Sequence, residues 1–403
     1  MTENTANSSM FTHFSTIKDP RVNRCKKHKL IDILFMTLSA VICGADNWVA
    51  IEAFCKAKKA WLTDVLKLKN GIPSHDTFGN VFAMLDTEQF SESFTHWMRD
   101  IATLSDNEII AVDGQCLRGT KDGNKSAIYM VSAWACKNKC VLGQQVVDEK
   151  SNEITAVPKL LKKLNLTGVT VTADAMGCQR DLSKQIVAQG GDYLFCLKGN
   201  QGTLHEDVVL WFKGKFQKQF KQHETFEGGH GRIEHRLTMS TSDIDWLQAH
   251  HNWPYLKSIT AVTSKREVKD SEAESGYKES VETRYFISSV SADRVEKIST
   301  AIRAHWGIEN QLHWSLDMSF DEDHSRARVG NSAANLSAIR HVALNLIKNE
   351  KTAKVGVKIK RLKAGWDEQY LRKNHSGNLN AIALTKQIHL SCCPSSKYCS
   401  KTL

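Results

Sequence analysis

A mixed α/β architecture is what this sequence predicts: a five-stranded sheet flanked by helices, with a helical N-terminal domain and a β-rich insertion. Three observations carry it. Apolar residues from 26 to 100 keep helical spacing. From residue 107 the period shortens to that of strands alternating with helices. Between about 220 and 290 further strand-like runs intervene before helical spacing returns. At 403 residues the chain is too long for one ordinary core.

The elements follow in order. Residues 1–18 are expected to be a disordered lead and 19–104 a helical domain. Leu30, Ile33, Leu34, Leu38 and Val41 share one helix face, and residues 47–66 give a second amphipathic stretch. In GIPSHDTFGNVFAML, Ser74 is expected to cap a new helix. Short helices about that joint fit a helix-turn-helix DNA reader or a packing and dimerisation unit, and the sequence leaves both open. Residues 105–373 are expected to hold the sheet. NEIIAVDGQ reads as its first strand, and 126–136 with 140–148 as a hairpin. A helix over 155–164 has Thr155 as its cap and Pro158 in its first turn. A strand over 168–175, a helix over 179–190 stopped by Gly190, and a strand over 192–200 complete the order β-β-β-α-β-α-β. Residues 374–403 are expected to be a disordered tail.

Composition narrows the partners. Lys and Arg number 54 against 44 Asp and Glu, a formal charge of +10 that suits a polyanion such as DNA. No run of 18 apolar residues occurs and the N-terminus lacks an apolar core, so a cytoplasmic protein without a membrane partner is expected. Cys136 and Cys140 lack the further ligands a zinc site needs and read as a hairpin with two ordinary thiols.

Chemistry enters with the carboxylates. Ile109, Ile110, Ala111 and Val112 run straight into Asp113, and a second apolar strand ends in Asp174. If those strands are neighbours, two like charges meet at one sheet edge and call for a cation. Mg²⁺ (or Mn²⁺) accepts such oxygen ligands, and two ions together form a clamp for phosphodiester attack. Glu309, among Trp306, Leu312 and Trp314, is the best third acid, with Asp317, Asp321, Glu322 and Asp323 as competitors.

The stretches GADNWVAIEAF, NGIPSHDTFGNVF, IIAVDGQCLRGT, VTADAMGCQ, FCLKGNQ and RAHWGIENQLHWSLDMSFDEDHSRAR, in that order, resemble the H repeat-associated proteins, DDE transposases of bacterial insertion sequences. The resemblance covers about residues 15–373. It implies a ribonuclease H-like catalytic domain whose Asp113, Asp174 and Glu309 are both the catalytic triad and the ligands of two divalent metal ions. It implies a homodimer acting on DNA, at terminal inverted repeats and at a target. One departure stands out. Where related transposases carry Tyr, Arg and Lys around the last Glu, this chain has Ile302, His305 and Leu316. Arg303, His305 and His313 are expected to take over those DNA contacts, with Lys198, Asn200, Arg326 and Arg328 beside them. Two other readings are kept: an inactive DNA-binding remnant or regulator, and a metal-dependent nuclease that ignores element ends.

Overall fold

The structure, a computed structural model, describes residues 11–101, 104–123, 126–147, 153–214, 220–229, 231–270 and 276–375. A helical turn at 11–14 leads in, and Phe14 and Ile17 are buried, so the expected disordered lead gives way to packed chain within residues 11–18. Residues 1–10 and 376–403 lie outside the described residues.

Five helices come first: α1 (Leu30–Ile42), α2 (Trp48–Ala57), α3 (Lys59–Leu66), α4 (His75–Met84) and α5 (Thr87–Ile101). Their starts follow capping chemistry. The Asn47 side chain accepts from the Ala50 amide, and Ser74, as expected, accepts from the Thr77 amide. α1 is apolar on nearly every side because it is buried nearly all round. These helices do not pack alone: Leu34, Phe82 and Phe94 share one core with Leu336, Val342 and Ile347 of the late helix α12 (Ser332–Asn349).

The sheet has nine strands: β1 (Ile109–Leu117), β2 (Ile128–Ala135), β3 (Cys140–Val147), β4 (Thr170–Ala173), β5 (Asp192–Leu197), β6 (Lys221–Gly229), β7 (Arg232–Thr241), β8 (Ser258–Lys269) and β9 (Tyr277–Ser288). Their order is β3-β2-β1-β4-β5-β9-β8-β7-β6. The first five form the expected ribonuclease H-like unit, with β1, β4 and β5 parallel and β2 and β3 a meander on β1. The insertion strands extend that unit rather than stand apart from it. β9 pairs antiparallel with β5, Leu194 opposite Ser288, which covers an edge that would otherwise be open.

Helices α6 (Glu153–Lys162) and α7 (Arg180–Ala188) cover one face, packing Leu160 and Ile186 on Ile110, Val112 and Val171. α8 (Thr203–Lys213) and α9 (Asp245–His251) extend that layer, and α9 was not foreseen from the sequence. α10 (Val295–Gly307) covers the other face, where Ile298 and Ala301 meet Ile109 and Leu194. β1 is therefore buried on both sides, which explains its unbroken apolar run. α6 starts at Glu153, so Thr155 lies inside it rather than capping it; an acid in the first turn suits the positive helix end. α13 (Val357–Trp366) and α14 (Glu368–His375) close the fold. Here Arg361 turns inward, donating to the Val41 carbonyl and pairing with Asp46 at 2.6 Å. No helix among the described residues is long and apolar enough to cross a membrane.

β3 is an outer strand, and α12 closes it with one side chain. Asn345 Oδ1 accepts from the Val141 amide at 2.9 Å and its Nδ2 donates to the Val141 carbonyl at 2.8 Å. Asn345→Leu strands both buried backbone groups. It should lower unfolding stability by about 2–6 kcal/mol, from roughly 1–3 per unpaired group, read from urea denaturation. An unchanged midpoint would show that the edge needs no such closure.

Candidate active site

Register builds the site. In the parallel pair β1–β4, Val112 lies opposite Ala173. The next residue of each chain is therefore Asp113 and Asp174, and the two acids emerge side by side. Asp174 Oδ1 accepts from the amides of Met176 (2.9 Å) and Gly177 (3.3 Å), which fixes its carboxylate. Burial first, then the Asp174 carboxylate, with Glu309 and Glu153 adding to it, push Asp113 up to about 7.

Glu309 arrives on the opposing helix layer. After α10 the chain takes a π-helical turn, Ile308–His313, before α11 (Trp314–Phe320). The sequence reading ran one helix through here. The wider turn is a feature often found at functional sites, and it is anchored by buried Ile308 and Leu312. Asp113, Asp174, Glu309, Lys198, His305 and Arg284 line one cleft of about 770 Å³.

Both expected histidines are near, and neither is charged at neutral pH. His305 Nδ1 lies 3.0 Å from Thr172 Oγ1 of β4, and burial pushes its imidazole down to about 4. His313 Nδ1 is 3.8 Å from Asp113 Oδ2, beyond hydrogen-bond reach; burial, then His341 and His305, push it down to about 4. They can offer hydrogen bonds but no ion pair.

The other expected DNA contacts scatter. Lys198 lines the cleft. Asn200 Nδ2 donates to the Ala175 carbonyl at 2.7 Å, bracing the loop after Asp174. Arg303 pairs with Glu227 of β6 at 2.9 Å and lines a separate cleft between α10 and the insertion strands. Arg326 lies in a third hollow beside Asp46 and Trp48. Arg328 donates to the Gly119 carbonyl and pairs with Asp122 at 3.3 Å. The rival acids are engaged elsewhere: Asp317 accepts from Gln115, Glu322 pairs with buried Arg340, Asp323 with Arg118, and Asp321 with His324.

Two neighbours escaped the sequence reading. Arg284, near the inner end of β9, enters the cleft with its guanidinium 4.9 Å from the Trp306 ring centre. Its position follows from the β5–β9 pairing, which no local pattern announces. Glu153 lies against Gly114, and the glycine inside strand β1 was the available signal.

The donor chemistry suits a hard divalent cation: carboxylate oxygens, crowded enough that Asp113 resists ionisation. The shell is not drawn tight. No group of three His, Cys, Asp or Glu side chains among the described residues is gathered closely enough to hold a metal ion.

The sequence reading put both acids at strand ends; Asp174 does follow the end of β4, but Asp113 lies inside β1, which runs on to Leu117 against β2. A β-β-β-α-β-α-β sheet with these two acids side by side and a third on the facing helix is the arrangement of the DDE class of transposases. The chain belongs to that family: the model described as "Transposase DDE domain" matches residues 104–346, and the one described as "DDE_Tnp_1-associated" matches 11–98. The resemblance to H repeat-associated proteins holds as well. "H repeat-associated putative transposase YhhI" of Escherichia coli K12 is 40% identical over 375 residues, spanning 92% of this chain and 98% of that one. "Putative transposase YncI" of Escherichia coli O157:H7 is 41% identical over 370 residues, spanning 91% and 94%. A cryo-EM structure of the piggyBac transposase synaptic complex with hairpin DNA aligns over 96% of this chain and 79% of its own. Its TM-score is 0.41 and its identity 11%, a likeness too slight to bear on function. The DDE domain carries a general dependence on divalent metal.

The raised Asp113 sets a pH dependence. Its folded value, about 7, lies above the unfolded one, so the stability it contributes is full below about pH 4 and is lost as pH rises through 7. In chelator, the wild-type Tm should fall between pH 5 and 8 more steeply than that of Asp113→Asn. Mn²⁺ should restore the wild type at pH 8. Parallel Tm curves for the two proteins would contradict the assignment.

Proposed function

We propose that this protein cuts the DNA at the ends of its own element and joins the freed 3′ ends to a target. The observation that carries the reading is the β1–β4 register, which sets Asp113 beside Asp174 in a cleft that also holds Glu309. In this reading Asp113, Asp174 and Glu309 hold two Mg²⁺ or Mn²⁺ ions. When bound, these would supply Lewis-acid activation of an attacking water or 3′-hydroxyl and neutralise the leaving oxygen. No Ser, Tyr or Cys nucleophile is needed.

The remaining roles fall to the chain's own groups. Asp174, held by two backbone amides, keeps its carboxylate oriented without substrate. Lys198 and Arg284 hold phosphate oxygens along the cleft. Neutral His305 and His313 contact DNA by hydrogen bonds. Arg303 and Arg328 must exchange their present partners to reach DNA, as must Arg284, whose guanidinium donates to Glu282 at 2.8 and 3.0 Å. Arg326 would reach it from its own hollow, and Asn200 acts through the loop it braces. Residues 105–373 carry the catalysis and 19–104 grip the end sequence. An exposed basic patch supports the second part. Arg24, Lys26, Lys27 and Lys29 on one loop are tied to Lys67 and Lys69 on another, because Asn70 Nδ2 donates to the Lys27 carbonyl at 2.6 Å. Two element ends call for two copies, so the working form is a homodimer in the bacterial cytoplasm.

The test is a plasmid carrying the element's own flanks, incubated with protein and Mg²⁺ or Mn²⁺. Cuts at the ends are expected, falling to the chelator background in Asp113→Asn, Asp174→Asn and Glu309→Gln. Cuts without regard to the ends would favour a nuclease, and binding without cuts an inactive remnant. A second expectation concerns charge. Lys198→Ala should lower the slope of log affinity against log salt by about 0.9, the value for one phosphate contact. An unchanged slope would remove Lys198 from the DNA path.

A further inference from the structure

Asp113 and Gly114 point to opposite faces of the sheet. Alternate residues of a strand do so, and the neighbours agree. Ile109 packs in the cluster of α10, on the face shared with Asp113, whereas Ile110 and Val112 pack with α6 on the face shared with Gly114. Glu309 therefore approaches Asp113 from one side, and the first turn of α6 covers the strand from the other.

On that second side Glu153 fills the space a side chain would take. A Cβ on Gly114 would lie 2.5 Å from Glu153 Oε1 and 2.7 Å from its carboxyl carbon, so no larger residue fits unless Glu153 moves. A cavity of about 10 Å³ lies there, lined by Asp113, Gly114, Glu153, Asp174, Met176 and Gly177. It has room for one water or one small ion at most. Its remaining walls are apolar, among them Val131 and Val157. Packing alone would favour an apolar side chain here, since a third carboxylate adds repulsion beside two others.

We propose that Glu153 is a fourth carboxylate of the cation site, a positioning residue that reaches Asp113 and Asp174 through the gap left by Gly114. The inference rests on the reading of Asp113, Asp174 and Glu309 as cation ligands. Glu153 then acts from behind the sheet. Its charge adds to the attraction for a cation and steadies the Asp113 carboxylate against it. Gly114 is glycine so that this carboxylate can come close.

The experiment is Mn²⁺ binding to the full-length protein without DNA, by calorimetry and by the electron paramagnetic resonance of the free ion. Thermal melting in chelator serves as the folding control. Asp113→Asn should abolish site binding. Glu153→Gln, of the same shape, should weaken it roughly 10- to 100-fold, the usual effect of a supporting group near a metal, with its Tm in chelator equal to or above wild type. Gly114→Ala, which displaces Glu153, should do the same, and Glu153→Asp should recover part of the affinity. Wild-type affinity in Glu153→Gln beside lost binding in Asp113→Asn would overturn the role of Glu153 and leave the triad standing. Unchanged binding in Asp113→Asn would overturn both. A fall in the chelator Tm of Glu153→Gln without loss of affinity would make Glu153 a packing residue.

Discussion

Pairing of β1 with β4 is the constraint on which the rest of the molecule depends. It spans four residue pairs, Ile109–Thr170 to Val112–Ala173. The pairing stops at the same level in both strands, and the next residues are the two aspartates; β4 ends there, while β1 runs on against β2 to Leu117. A slip of one position would turn Asp113 to the face of α6 and bury Gly114 where an acid belongs. Burial on both faces prevents it, because Ile110 and Val112 fit only against α6 and α7, and Ile109 only against α10. The apolar run and the carboxylate it delivers are one device: the first half locks the position of the second.

The surroundings of the acids work against folding and in favour of a cation. Like charges crowd a half-buried Asp113, and the nearby imidazoles stay neutral, so no protonated histidine relieves the repulsion. Such a conflict between local stability and site chemistry is what a functional centre tends to show. The π-helical turn that carries Glu309 is a second instance, since it departs from the hydrogen bonding of the helices on either side. The insertion contributes through the sheet itself. By adding β9 to β5 it brings Arg284 to the same cleft as Lys198.

Much of this was legible in the residues. The strands leading to Asp113 and Asp174 declared themselves by apolar runs, and the parallel order followed from the intervening helices. Ser74 announced its helix by capping chemistry. Other features depend on contacts between distant segments and leave no local trace. The continuity of nine strands rests on Leu194 meeting Ser288, 94 residues apart by number. The inward turn of Arg361 rests on a carbonyl of α1, some 320 positions earlier in the chain. The engagement of Arg303 by Glu227 and of Asn200 by Ala175 is likewise invisible to spacing. Thr155 misled because a good capping residue stood two places inside a helix that an acid opens.

The late helix α12 completes the core of the first five helices and, through Asn345, closes the outer strand of the sheet. The chain thus finishes its beginning with its end. For a mobile gene this has a consequence for decay. A frameshift or stop codon anywhere before Ser332 yields a product whose amino-terminal helices expose a wide apolar face with nothing to cover it. Such exposed apolar surface marks a fragment for aggregation rather than for stable folding on its own. A lesion in the last third of the gene therefore costs the amino-terminal helices their packing as surely as one within them.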